Sequence, residues 1–192
     1  MADVAGWWMI PGVGVLYDYF ATASDDHAAA TIDLKGGPGG AEPLSPELQA
    51  AIRAGDHEAM HRLMRPRVRF SEHGLHVLSV KGIDPVVQMG TLEELLTGVS
   101  TDVIFARPRS GLDVAVRDEG ERLVLSLTDE LQQALVEQAP GRLDAVAVPW
   151  SQTEEFWGHG DPEVLAEFLR ELSQLAHQAR DRDHRLYCWV CV

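Results

Sequence analysis

Two apolar, aromatic-rich runs, one near each end of the chain, most constrain its fold. The first is Gly14-Val-Leu-Tyr-Asp-Tyr-Phe20, and the second is Arg185-Leu-Tyr-Cys-Trp-Val-Cys-Val192. β-branched and aromatic residues favour strands, and a run as dense as the second is typical of a buried strand. Since a terminal strand that pairs within a sheet does not fray, we predict that residues 15–20 and 185–192 lie in one sheet.

Capping residues and hydrophobic periodicity predict the elements between these runs. Predicted helices begin at Ser24, Ser45, Asp56, Asp84, Thr128 and Asp161, and Gly55 and Gly98 end the second and the fourth of them. Predicted hairpins cover 67–80 and 112–127, with a short strand at 103–105 and a flexible loop at Gly36-Gly-Pro-Gly-Gly40. Because these elements do not alternate as βαβ units, we predict an α+β class with a mixed sheet packed by several helices.

The length of 192 residues fits one domain of ordinary size. We expect residues 1–13 to be an N-terminal extension and residues 14–192 to form a single α+β domain. A helical hairpin is predicted as an insertion at about 36–75, where two capped helices follow one another.

The charge balance excludes several classes of partner. Sixteen basic and thirty acidic side chains give a net charge of -14, which repels nucleic acid and anionic lipid. The apolar stretch 6–16 is too short and too rich in Gly and Pro to span a bilayer, and no Lys or Arg precedes Lys35 as a secretory signal would need. We therefore expect a cytoplasmic protein with no membrane partner.

Three stretches resemble the YfbM-like family of small bacterial proteins, which has no established activity. They are the 14–20 run, Lys81-Gly-Ile-Asp84 with the helix that ends at Leu95-Leu-Thr-Gly98, and Val148-Pro-Trp150 with Glu154 and Glu155 before a long helix and an apolar terminal strand. The chain departs from the family at Pro85, where the family tends to carry Lys, and in the extra residues 36–75. The resemblance implies an α+β fold in a bacterial cytoplasm and supplies no mechanism.

The sharpest chemical motif is His57-Glu-Ala-Met-His61, which matches the H-E-x-x-H pattern of zinc hydrolases. In that pattern the two histidines bind zinc from one helix face and the glutamate acts as general base. Here Glu58 would be the catalytic base, and His73, His76 or Glu72 would supply a further ligand. The alternative is a pair of boundary histidines on an ordinary packed helix.

Other residues have both a functional and a structural interpretation. Trp150, Phe156 and Trp157, with Glu154 and Glu155, either line a pocket or form core with a solvated edge, and Lys81 and Asp84 either contact a partner or form a turn with a helix cap. Five arginines between Arg53 and Arg69 either pair with carboxylates or form an anion-binding patch. Cys188 and Cys191 point to opposite faces of a strand, so they can neither bridge nor share a metal without a bulge.

The sequence contains no convergent set of nucleophile, base and orienting residue. We therefore predict a non-enzymatic binding or interaction protein with no cofactor, which acts on a protein partner that has a basic surface, as an immunity protein would. Candidate contact residues are Lys81, Asp84, Trp150, Glu154 and Trp157. The alternative function is a zinc-dependent hydrolase that uses His57, Glu58 and His61.

Overall fold

The computed structural model describes residues 15–40, 45–63 and 65–192, and of His61 and Pro140 it describes the backbone alone. The strands are β1 (Leu16–Thr22), β2 (Val68–Phe70), β3 (His76–Lys81), β4 (Asp113–Arg117), β5 (Arg122–Ser126) and β6 (Arg185–Cys191). The helices are α1 (Asp25–Ala29), α2 (Pro46–Ala54), α3 (His57–Leu63), α4 (Val87–Thr97), α5 (Thr101–Phe105), α6 (Asp129–Glu137), α7 (Pro140–Ser151) and α8 (Pro162–Arg180). The expected extension at 1–13 lies outside the described residues.

The six strands form one sheet in the order β2-β3-β1-β6-β5-β4. β1 and β6 are neighbours, paired from Leu16 with Cys191 to Thr22 with Arg185. The prediction that the two terminal runs share a sheet is therefore confirmed, as is a single α+β domain. The sheet is antiparallel throughout rather than mixed, because each described strand runs opposite to its neighbours.

The two faces of the sheet are covered differently. One face, here called the helical face, carries Tyr19, Leu78 and Cys188 and packs against α4, α6, α7 and α8 in the larger core. The opposite face, the loop face, carries Phe20 and Trp189, which pack with residues of α1 and of the chain that follows it. Alternate residues of β6 therefore enter two cores, and this explains the dense apolar run. It also confirms that Cys188 and Cys191 lie on opposite faces.

The glycine-rich loop is packed, so the prediction of a flexible loop is wrong. Gly37, Pro38 and Gly39 are buried against the loop face of the sheet. A Cβ atom on Gly37 would lie 2.8 Å from the indole ring of Trp189, and one on Gly39 would lie 2.7 Å from a carboxylate oxygen of Asp18. The glycines therefore permit a close approach of the backbone to the sheet.

Several boundaries differ from the predictions. Residues 103–105 lie in α5 rather than in a strand, because the N–H groups of Val103 and Ile104 donate to the carbonyl of Ser100 at 3.0 and 3.1 Å, as in a helical turn. α4 begins at Val87, after a turn in which the Asp84 carboxylate accepts hydrogen bonds of 2.8 Å from the N–H groups of residues 86 and 87. None of the described helices is long and apolar enough to cross a bilayer.

Candidate functional site

Trp157 is the most exposed large apolar side chain of the described residues, with 83% of its surface accessible. It follows a short 3₁₀ helix, Glu154–Phe156, and its N–H donates to the carbonyl of Glu154 at 2.9 Å. Its φ of 54° is left-handed. For a residue other than glycine that conformation costs about 1–2 kcal/mol. An exposed tryptophan in a strained position is a candidate functional residue.

The residue before Trp157 is anchored in the core. Phe156 is buried and makes an edge-to-face contact with Trp150 at 5.2 Å between ring centroids. Trp150 is fully buried, and its indole N–H donates to the carbonyl of Gln88 at 3.0 Å. Trp150 therefore supports the loop from below and offers no accessible surface of its own.

The chain after Trp157 is pinned to the end of α7. The N–H of His159 donates to the carbonyl of Phe156 at 2.8 Å. A Cβ atom on Gly160 would lie 2.4 Å from the backbone oxygen of Ser151, so only glycine permits this approach. Both ends of the loop are thus fixed to the core, and Trp157 is presented on a rigid support.

The surroundings of Trp157 in the sequence are acidic. Residues 143–169 contain six carboxylates and no Lys or Arg. Asp144 and Glu167 pair with arginines. Glu154 and Glu163 are exposed and form no ion pair with another described residue, while Asp161 accepts from the first N–H groups of α8. We call the exposed set Glu154, Trp157, Asp161 and Glu163 the Trp157 surface.

Two predicted contact residues, Asp84 and Lys81, are half-buried and do not belong to this exposed set. Asp84 caps the turn before α4, and its N–H donates to the side chain of Gln88 at 2.5 Å. Gln88 in turn donates to the carbonyl of Glu155 at 3.4 Å, so the two segments are joined in the interior. Lys81 is half-buried at the end of β3 on the loop face. Sequence reasoning missed Gly160 and Glu163, although the absence of basic residues from 143–169 was a visible signal.

The residues of the H-E-x-x-H motif lie on an exposed helix. His57 and Glu58 are exposed in the first turn of α3, and Asp56 caps this helix by accepting from the N–H of Ala59 at 3.0 Å. The side chain of His61 is outside the description. Within the described part of the chain, no three His, Cys, Asp or Glu side chains are grouped as metal ligands. The zinc site stays a prediction.

The further ligands expected for that site have other contacts. His73 lies with its Nε2 atom 3.3 Å from the carbonyl of Lys35 and 3.8 Å from the carboxylate of Glu72. The His76 ring packs edge-on against Phe70 at 5.1 Å between centroids. Neither ring is held against α3 by these contacts.

Comparison of the chain with known protein families, with curated proteins and with solved structures finds no match. The resemblance to YfbM-like proteins therefore stays a prediction.

Proposed function

We propose that the chain is a non-enzymatic interaction protein that binds a basic segment of a protein partner through the Trp157 surface. The observation that carries this proposal is the exposed, left-handed Trp157 on a loop fixed at both ends. Tryptophan is enriched among the residues that dominate binding energy at protein interfaces. A rigid support lowers the ordering entropy that binding would otherwise lose.

The chemistry of the surface favours a basic partner. A Lys or Arg side chain over the face of an indole ring gains about 0.5–1 kcal/mol at an exposed site and more when desolvated. Glu154 and Glu163 place carboxylates in the same acidic stretch, and the net charge of -14 attracts basic proteins over a longer range. An immunity-like role against a basic protein is one form of this function.

The proposal is tested by measuring which basic proteins bind to the immobilised full-length chain. We expect a basic protein to be retained at moderate salt by the wild type and by the Val148→Ala control, which changes another exposed apolar residue. Trp157→Ala should weaken that binding at least about tenfold, as truncation of a dominant interface residue does. Equal capture by the wild type and by Trp157→Ala would contradict the assigned site.

A further inference from the structure

An arginine-rich segment stands out against the acidic chain. Residues 53–69 contain five arginines and two carboxylates and cover the last two residues of α2, all of α3 and the start of β2. Arg53, Arg62 and Arg67 are exposed and form no ion pair with another described residue. We call these three the basic hairpin. Of the other two arginines, Arg65 pairs with Glu167 and Arg69 donates to the Ser79 hydroxyl, so three of the five are exposed cations.

The basic hairpin lies next to the helix that follows the Trp157 loop. Arg65 Nη1 is 3.0 Å from Glu167 Oε1, and the N–H of Val68 donates to Glu171 Oε2 at 2.7 Å. Glu163 precedes Glu167 by one helical turn, which is about 6 Å along α8. The basic hairpin and the Trp157 surface therefore border the same half of α8.

We propose that the partner of the Trp157 surface is the basic hairpin of a second copy of the chain, in a symmetric dimer. This inference rests on the proposed function, because it names the basic segment that the surface binds. A twofold dimer needs a self-complementary patch, in which each copy offers what the other binds. The basic hairpin and the Trp157 surface, which are adjacent and opposite in charge, meet that condition. An arginine of one copy then covers the indole ring of Trp157 in the other copy.

A second copy fits the basic hairpin better than an extended polyanion does. Glu47, Asp56, Glu58 and Glu72 are exposed on or near the hairpin, so a nucleic acid that passes beyond the arginines meets repulsive carboxylates. The repulsion between two chains of charge -14 is screened beyond about 8 Å at physiological salt, whereas contacts between the patches act at shorter range. The dimer also removes the exposed indole from water.

Sedimentation of the full-length chain over a range of concentrations tests the dimer. We expect the wild-type mass to rise toward that of a dimer, and added salt to oppose the rise. Trp157→Ala and the double variant Arg62→Glu/Arg67→Glu should each weaken dimerisation at least about tenfold. The matched control is Arg142→Glu/Arg182→Glu, which changes two exposed arginines elsewhere by the same total charge and should dimerise like the wild type.

A charge exchange makes the test specific. The variant Glu154→Arg/Glu163→Arg should also be monomeric, but its mixture with Arg62→Glu/Arg67→Glu should form a heterodimer, because both contacts regain opposite charges. A wild-type chain that stays monomeric at all concentrations, or a dimer that neither pair of substitutions weakens, would overturn the inference.

The failure of the dimer can be told apart from failure of the proposed function. A peptide with the sequence of residues 53–69 is titrated into the monomeric Arg62→Glu/Arg67→Glu variant, with and without Trp157→Ala. Binding that needs Trp157, together with a monomeric wild type, overturns the dimer and leaves the proposed function standing. Absence of both peptide binding and dimerisation contradicts both proposals.

Discussion

The backbone N–H of Gly39 donates a hydrogen bond of 2.8 Å to the carboxylate of Asp18, a strand residue that is 1% exposed. The Ser79 hydroxyl donates to the other oxygen at 2.5 Å, and the guanidinium of Arg69 in turn donates to Ser79 at 3.3 Å. These bonds fix the glycine-rich loop to the loop face of the sheet. Burial raises the pKa of Asp18 above its ordinary value of 3.8, against these hydrogen bonds and the charge of Arg69.

Substitution of Asp18 should separate its hydrogen bonds from its charge. Asp18→Ala leaves the Gly39 N–H and the Ser79 hydroxyl without this acceptor, so we expect a loss of about 1–3 kcal/mol in the free energy of unfolding. Asp18→Asn keeps an acceptor for Gly39 and removes the buried charge. Urea unfolding of both variants at neutral pH measures the difference. Equal destabilisation by Ala and Asn would contradict this account.

The stability of the same variants should depend on pH in a defined direction. Because the pKa of Asp18 is raised in the folded state, the unfolded chain releases this proton more readily. The contribution of Asp18 to stability is therefore present below its unfolded pKa and is lost as the pH rises through its folded pKa. Asp18→Asn should gain stability relative to the wild type as the pH rises above about 4, the usual range of a carboxyl group. A difference that stays constant with pH would contradict the shift.

The elements that were predictable from the sequence are those with strong local signals. Ser45 and Gly55 delimit α2, Asp161 begins α8, and the apolar terminal runs pair in the sheet. The capping signals act within a few residues of the chain. The apolar runs pair because burial of their side chains is favourable with any neighbouring strand.

The remainder depends on tertiary contacts that no local pattern contains. α7 includes Pro149 near its end, a residue that local propensity places outside helices, and the next residue, Trp150, is fully buried in the core. The glycine-rich run predicts a flexible loop from its local composition, whereas in the fold its backbone closely approaches Asp18 and Trp189. Sequence patterns alone likewise do not distinguish Trp150 from Trp157. Trp150 is fully buried, whereas Trp157 is the exposed centre of the candidate site.

Gly160 should be sensitive to a single methyl group. A Cβ atom there would lie 2.4 Å from the backbone oxygen of Ser151, which cannot move without the end of α7. We expect Gly160→Ala to lower the free energy of unfolding by about 1–3 kcal/mol, as overpacking does. Gly141→Ala is the matched control, since nothing lies within 4 Å of its added methyl group and it sits in α7. Thermal unfolding that ranks the two variants in the opposite order would contradict this packing.

The two cysteines should differ in reactivity. Cys188 is fully buried, and burial raises the pKa of its thiol well above the ordinary value of 9.0, whereas Cys191 is partly accessible on the other face of the sheet. A thiol reagent should therefore modify Cys191 in the native protein and reach Cys188 after denaturation. Cys191→Ser should abolish the native reaction. Rapid reaction of both thiols, or of neither, would contradict their placement.

Replacement of Trp157 by glycine should stabilise the fold while it weakens binding. The left-handed φ of 54° costs Trp about 1–2 kcal/mol, and glycine avoids that cost but loses about 0.5–1 kcal/mol more chain entropy on folding. Because the side chain is 83% exposed, little packing is lost with it. We therefore expect Trp157→Gly to raise the free energy of unfolding by up to about 1 kcal/mol in urea unfolding, with Val148→Ala as the exposed apolar control. A clear loss of stability would show that Trp157 packs against the fold, and its exposure would then no longer point to a partner.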